Sequence, residues 1–501
     1  METGKYRFRP AISRAPSCVF NKTINAPCYH PSDPLWRSRA GRRRDDRDGA
    51  PLAAPPRPVE RFIRREEPMV YWEPRIENMP PEELRAVQYR HLKALVDRLY
   101  DTNDFYHARM RSVNVLPSDI RSLDDVRKLP FMSKKDLRDN YPDKIFSAPK
   151  RNIVRYHASS GTTGKPTIVG YTQKDVDTWA LSLARSLSSI GLTCDDVIQV
   201  ANTYGLFTGG LGFHYAGEKL GASVIPASTG NTERQIELIQ DLGVTAMAAT
   251  PSYLLHLGEV AEKMGVSIKN DTRLRVGLLG GEPWSIRMRD RLQDWLGVRG
   301  YNCYGTSEMS GPMFSECSEQ DGIHIWGDIT LTEILDPETG EPVAPGEKGE
   351  MVVTMLQKEA MPMVRYRIGD ITAVETEPCP CGRTHPKIRR IYGRVDDMLI
   401  VRGINVFPSQ VQHALMSVPE VGEHFQIVVE RKGTLDTMLV RVELKKEAFT
   451  DNIVKLMEVR ERIQYRLKGS LNVGATVELV EPGTLPRYEG KSKFVVDKRD
   501  I

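Results

Sequence analysis

Between residues 84 and 99 the apolar positions Leu84, Val87, Leu92, Leu95, Val96 and Leu99 recur at near-helical spacing, which predicts an amphipathic helix with one buried face. From about residue 150 the pattern changes. "DDVIQVAN" and "ASVIPAS" predict strands, "TERQIELIQDLG" a helix stopped at Gly243, "VTAMAAT" the next strand, and "LRVGLLGG" a strand running into a glycine turn. Strand, helix, strand in that order predicts parallel α/β architecture. In such sheets ligands gather where the carboxyl ends of the strands open into turns.

After Arg394 the texture changes again. "DDMLIVRGINVFPSQVQHALMSV" predicts a short strand, a turn and a helix, "HFQIVVERKG" with "TMLVRVELKK" a hairpin, residues 451–469 a helix, and "ATVELVEPGTL" a closing strand. That is a compact α+β unit of roughly a hundred residues, a separate domain. At the other end "RSRAGRRRDDRDGAPLAAPPRPVERFIRREEP" has no hydrophobic period, and such a composition cannot offset its own ordering entropy. The chain therefore divides into a disordered basic, Pro-rich arm (1–68), an α/β body (69–392) and a small C-terminal domain (393–501).

Charge follows this division. Of the formal +4 for the 501 residues, 1–68 carry 15 Lys/Arg against 8 Asp/Glu, a net +7, which leaves −3 for the remainder. The arm is read as a solvated tail rather than a nucleic-acid grip, so nucleic acid is not an expected partner; a start at Met69 and an organelle-targeting peptide are further readings of it. No run of about 18 apolar residues predicts a membrane span. "METGKYRFRP" lacks the apolar stretch of a secretory signal, and the seven cysteines, an odd number in a long chain, form no disulfide framework. A cytoplasmic location is expected, with clustered cysteines as candidate metal ligands. A homodimer stays open.

The candidate chemistry begins at "HASSGTTGKPT", His157 to Thr167, which packs glycines, hydroxyls and one lysine together. Only two residues separate Gly161 from Gly164, and Pro166 follows Lys165, so this is not a P-loop. It is either another phosphate cradle or an exposed turn. Four more segments have the composition of nucleotide and metal contacts. "LLGGEPW" is a strand end, a glycine turn and an acid. "YGTSE" sets hydroxyls beside a carboxylate, as phosphate oxygens with Mg²⁺ require. "RYRIGD" ends in an acid suited to two ribose hydroxyls, and "LPRYEGKSK" places a lysine after glycine near the C-terminus.

Taken in order, "SSGTTGKPTIVGYT", "YGLFTGGLGFHY", "VIPASTGNTERQIELI", "GGEPWS", "YGTSE", "KEAMPMVRYRIGD" and "GRVDDMLIVRGINVFPSQV" resemble the phenylacetate–CoA ligase family of the adenylate-forming acyl- and aryl-CoA ligases, over residues 69–501. The resemblance implies a large adenylation domain with mixed and parallel sheets, capped by a small mobile α+β domain. It implies a two-step reaction, in which a small-molecule carboxylic acid and ATP give an acyl-adenylate and pyrophosphate, and coenzyme A then displaces AMP. Ser160, Gly161, Thr162, Thr163, Gly164 and Lys165 would hold the leaving pyrophosphate. Thr306 would donate to the α-phosphate, and Glu308 would help bind Mg²⁺. Gly281, Glu282 and Pro283 would line the adenine side, with Tyr304 in the nucleotide site and Asp370 and Arg394 on the ribose. Lys491, with Lys493 as competitor, would bridge carboxylate and α-phosphate. Asp396 occupies the hinge position, and Gly403 the point where the pantetheine arm passes.

Tyr204 and Phe207 are aromatics suited to an acyl pocket for an aryl ring, or are core residues. Family sequences often carry another aromatic two residues before the tyrosine, where this chain has Asn202, so a ring hydroxyl or a different acid is open. Cys317, His324, Cys379 and Cys381 make a closed tetrahedral set for structural Zn²⁺ if the intervening strands form a sheet edge, with His385 as rival ligand and unmetallated cysteines as the alternative. Other outcomes are a carrier-protein thiol or a deazaflavin cofactor as acceptor, or a non-catalytic binding protein.

Overall fold

The computed structural model describes residues 70–159, 167–282, 284–395, 399–401, 404–432, 435–450, 452–471, 474–486 and 494–498. The arm proposed for 1–68 lies outside them.

The first long helix, Pro81–Thr102, buries Leu84, Gln88, Leu92, Leu95, Val96 and Leu99. Val87 is only half-buried; the stripe instead continues from Leu84 through Gln88 to Leu92, as a 3.6-residue turn dictates. Strands β1 (Arg155–Ser159) and β2 (Thr167–Tyr171) form an antiparallel pair flanking residues 160–166. Then β3 (Val197–Val200), β4 (Ser223–Ile225), β5 (Ala246–Ala249), β6 (Val276–Leu279) and β7 (Arg299–Thr306) follow, with helices Gly209–Leu220, Thr232–Asp241, Pro251–Lys263 and Ile286–Leu296 between them. These five strands pair in parallel in the order β4-β3-β5-β6-β7.

Both faces of that sheet are covered. Ala246 and Ala248 of β5 enter one core cluster, Met247 and Ala249 another. The unbroken apolar run Ala246–Ala249 within "VTAMAAT" is what a strand buried on both faces requires.

Beyond β7 the sheet turns antiparallel through β8 (Gly311–Glu316) and β9 (Ile323–His324). The chain then leaves to build a second sheet from β10 (Thr330–Leu335), β11 (Gly349–Met355) and β12 (Tyr366–Thr372), and returns as β13 (Val374–Glu375) and β14 (Lys387–Ile388) to close the edge of the first, now nine-stranded. A short β15 (Gly393–Arg394) pairs with β12.

The C-terminal domain has its own core, from Leu399 to Val477. Where the sequence predicts one strand before the helix Pro408–Met416, there are two, β16 (Leu399–Val401) and β17 (Ile404–Val406), paired as a hairpin; three residues each are too few to show a period. Strands β18 (Val421–Lys432) and β19 (Leu435–Leu444) are the predicted hairpin, flanked in parallel by β21 (Val495–Asp497) and β20 (Thr476–Val480).

One buried ion pair ties the start of the large domain to the loop before β14. Glu77 and Arg383 meet at 2.7 Å with side chains 0% and 1% exposed, and Arg383 also donates to the carbonyl of Val70. Removing one partner of such a pair strands the other charge in a low-dielectric interior. Glu77→Ala is therefore expected to lose about 3–5 kcal/mol of stability, read as a lowered thermal midpoint that the double replacement Glu77→Leu with Arg383→Met largely recovers.

Candidate active site

The reversal from β7 to β8 depends on glycine. A Cβ on Gly305 would lie 1.8 Å from the carbonyl oxygen of Gly311, and the pairing register slips between Tyr304 and Gly305. Gly311, at φ +100°, leaves no room for a side chain either, because its Cβ would meet Thr208 at 2.6 Å. The tight turn Ser307–Met309 between the strands carries one of the predicted groups, Glu308, and Thr306 at the end of β7 precedes it. Glu308 is 5% exposed. The Thr306 hydroxyl is buried and has no hydrogen-bond partner among the described residues. Tyr171 donates to the Ser307 carbonyl at 3.2 Å and Lys358 to the Glu308 carbonyl at 3.0 Å. Burial brings the Lys358 ammonium down to about 8.

Asp370 stands directly opposite Arg394 across the β12–β15 pair, so the two side chains share a face. Arg394 reaches one carboxylate oxygen at 2.5 Å, and the Tyr304 hydroxyl donates to the other at 2.7 Å. Burial first, and then the Asp370 charge, raise the Tyr304 phenol well above its usual range, so it remains a donor. This contact bridges the nine-stranded sheet and the sheet that contains β12. The arginines of "RYRIGD" are committed elsewhere, Arg365 to Glu333 and Arg367 to Glu350, leaving Asp370 as the acid the strand brings to the site.

At the end of β6, Gly281 takes φ +83°, a conformation open to glycine. The Glu282 carboxylate accepts from the Ser252 backbone N–H at 2.8 Å, capping the helix Pro251–Lys263 and fixing the turn. Tyr204 is half-buried, its hydroxyl 3.3 Å from His214 Nδ1, and burial pushes that phenol up to about 12. Phe207 is 45% exposed, so it is a surface aromatic and not core. The Asn202 amide oxygen is buried and unpartnered among the described residues. Ser160, Gly161, Thr162, Thr163, Gly164, Lys165, Pro283, Asp396, Gly403, Lys491 and Lys493 lie outside the described residues.

In a separate group, Cys317, His324, Cys379 and Cys381 are all buried, with their ligand atoms within 4.8 Å of one another. The sheet edge does the gathering: Lys387 of β14 pairs with His324 of β9, and Cys317 follows β8. The Cys317–Cys379 sulfurs are 3.6 Å apart, and Cys381 Sγ lies 3.4 Å from His324 Nε2. Thiolates around a tetrahedral zinc, with bonds of about 2.3 Å, stand about 3.8 Å apart, so the set fits. His385 is not in it. Its Nδ1 accepts from the Gly327 N–H at 2.8 Å and its Nε2 meets the Ile76 carbonyl at 2.7 Å, so both ring nitrogens are engaged.

Sequence reasoning assigned nothing to Lys358 and Tyr171. The only signal was a lysine inside the apolar run "MVVTMLQKEAMPMV", where burial of a charge calls for a specific partner.

Fold and site together define an AMP-binding, adenylate-forming enzyme: residues 93–357 match the AMP-binding enzyme family and residues 403–499 the AMP-binding enzyme C-terminal domain. The chain is 45% identical over 443 residues to the phenylacetate-coenzyme A ligase of Thermus thermophilus, covering 85% of this chain and 99% of that one. It belongs to the phenylacetate–CoA ligase family, and so is an AMP-forming CoA ligase by class. The crystal structure of 2-hydroxyisobutyryl-CoA ligase in the postadenylation state, bound to R3-HIB-AMP, superposes with TM-score 0.80 at 30% identity, covering 85% and 92% of the two chains. The same enzyme in the thioesterification state, with CoA, gives 0.64 at 31% identity, covering 86% and 93%.

Hydrogen bonds to a charged group contribute about 1.5–3 kcal/mol each. Tyr304→Phe is accordingly expected to lower the unfolding midpoint of the large domain while leaving the C-terminal domain unchanged, as measured by hydrogen exchange of β12 against β19.

Proposed function

We propose that the acid this ligase activates is phenylacetate or a close aryl-bearing analogue, and that the reaction runs on the residues named above. The observation that carries the adenylation chemistry is the Thr306 hydroxyl: a donor buried without a protein partner among the described residues, two residues from a buried carboxylate, suits a ligand that brings its own acceptors, and the 45% identity to a phenylacetate-coenzyme A ligase supports the aryl acid.

In the first step the substrate carboxylate oxygen attacks the α-phosphorus of ATP. Pyrophosphate departs with the electron pair of the cleaved P–O bond, leaving the acyl-adenylate. An anion must approach a polyanion, so fixed donors and positive charge are needed where charge accumulates. Residues 160–165 hold the leaving pyrophosphate, Thr306 donates to the α-phosphate, and Lys491 bridges the two reacting anions. Asp370 accepts from the ribose hydroxyls, its carboxylate already aimed by Tyr304 and Arg394; Gly281, Glu282 and Pro283 line the adenine. Bound through Glu308, Mg²⁺ would neutralise phosphate charge.

In the second step the coenzyme A thiolate attacks the acyl carbonyl, the C–S bond forms, and AMP leaves. Asp396 as hinge and Gly403 in the pantetheine path serve this half. The two superpositions of one related ligase, close in one state and less so in the other, support a reorientation between steps.

Tyr204 and Phe207 face the aryl group, and the unpartnered Asn202 amide supports a polar ring substituent. Cys317, His324, Cys379 and Cys381 hold a structural Zn²⁺. Among the described residues no helix is long and apolar enough to cross a membrane, and cysteines that form no disulfide among the described residues support a reducing, cytoplasmic setting.

A panel of phenylacetate, its ring-hydroxylated forms and aliphatic acids is expected to give CoA-dependent AMP release with the aryl acids only; release confined to aliphatic acids would refute the assignment. In the same assay Lys491→Ala should abolish adenylate formation yet spare thioester formation from supplied acyl-adenylate. Cys379→Ser should lower metal content and thermal midpoint together, and unchanged metal stoichiometry would remove that ligand from the set.

A further inference from the structure

The two donors on the Ser307–Met309 turn have no place in the chemistry above. Lys358 is 3% exposed and Tyr171 0%. The Lys358 ammonium lies 4.6 Å from the centroid of the Tyr171 ring, and the two side chains grip successive carbonyls, those of Glu308 and Ser307. Those carbonyls belong to the two planar peptide units on either side of the Glu308 Cα. Holding both planes fixes φ and ψ at that residue, and with them the direction in which its side chain leaves the backbone.

The clamp is itself anchored. Asp175 accepts from the backbone N–H groups of Thr172, Glu359 and Ala360, so the segments bearing Tyr171 and Lys358 meet at one junction at the start of the helix Gln173–Ser189. Tyr171 also ends β2, whose first residue, Thr167, directly follows the glycine-rich stretch 160–166. The strand therefore spans from the proposed pyrophosphate loop to the proposed Mg²⁺ carboxylate. A buried ammonium is costly to desolvate, and an apolar side chain of equal length would fill the same space without that cost.

We propose that Lys358 and Tyr171 are positioning residues for adenylation, which lock the backbone on both sides of Glu308 and thereby aim its carboxylate, and the Thr306 hydroxyl beside the same turn, at the triphosphate. The proposal rests on the adenylation role given to Glu308. A residue acting only as packing would not change metal dependence or separate the two half-reactions.

Lys358→Met and Tyr171→Phe are tested by ATP–pyrophosphate exchange across a Mg²⁺ titration, by thioester formation from supplied acyl-adenylate, and by hydrogen exchange of residues 304–311 in the ligand-free protein. Misplacement of a reacting group by about 1 Å can cost about 10²-fold. Lys358→Met is expected to slow exchange about 10²-fold and to raise the Mg²⁺ needed for half-maximal rate about tenfold, with the second half-reaction changed by less than about threefold. Tyr171→Phe, which removes a single oxygen, should move the same quantities in the same direction by about fivefold. Both should speed amide exchange in 304–311 and leave β3–β6 unchanged. Wild-type Mg²⁺ dependence and unaltered exchange of that turn in either variant would overturn the proposal. If Lys358→Met does not fold, Tyr171→Phe carries the test alone. A wild-type protein that exchanges no pyrophosphate with any acid sinks the adenylation reading instead, and amide exchange then decides the clamp.

Discussion

The geometry around Thr306 and Glu308 depends on two glycines that let β7 and β8 approach more closely than any side chain permits. Gly305 sits where a Cβ would overlap the Gly311 carbonyl, at the point where the parallel half of the sheet gives way to the antiparallel half. Tyr304 precedes that point and turns toward the second sheet. Thr306 and Glu308 follow it and remain at the sheet's carboxyl end, where open α/β sheets bind ligands. A side chain at either glycine would separate these strands and dissolve the arrangement.

Around that reversal the polar groups are mostly paired off. Arg365, Arg367 and Arg394 each hold a carboxylate, and Glu282 is committed to a helix terminus. Such pairing keeps buried charge from being stranded and sets the direction of the Asp370 carboxylate, held by Tyr304 and Arg394. The Thr306 hydroxyl, left without a partner among the described residues, stands out against this background. Preorganisation of this kind suits a reaction between two anions, where reorganising dipoles during the chemical step would be expensive.

Much of the fold was legible because the parallel strands are buried on both faces and read as unbroken apolar runs between helical segments. The second sheet was not. In β12 burial alternates residue by residue with partly exposed positions, and the sequence there carries an arginine, a glycine and an aspartate that look like loop. Strands β9, β13, β14 and β15 have two residues each and no period to detect. The candidate site was read through its glycine- and hydroxyl-rich motifs, which are local. Lys358 and Tyr171 were not, since their role is visible only when segments 187 residues apart in the chain converge on one turn. The choice between His324 and His385 likewise needed the hydrogen bonds on each ring.

The excursion of the chain between β9 and β13 also bears on how this protein is made. The edge of the nine-stranded sheet is closed by Val374–Glu375 and Lys387–Ile388, which leave the ribosome only after β10, β11 and β12 of the second sheet have emerged. Until then β8 and β9 present an unfinished border with free amide and carbonyl groups, the kind of surface that invites pairing between nascent chains. A polysome translating this message thus carries an open sheet edge between residues 324 and 388, the interval in which shielding of the nascent chain bears on yield.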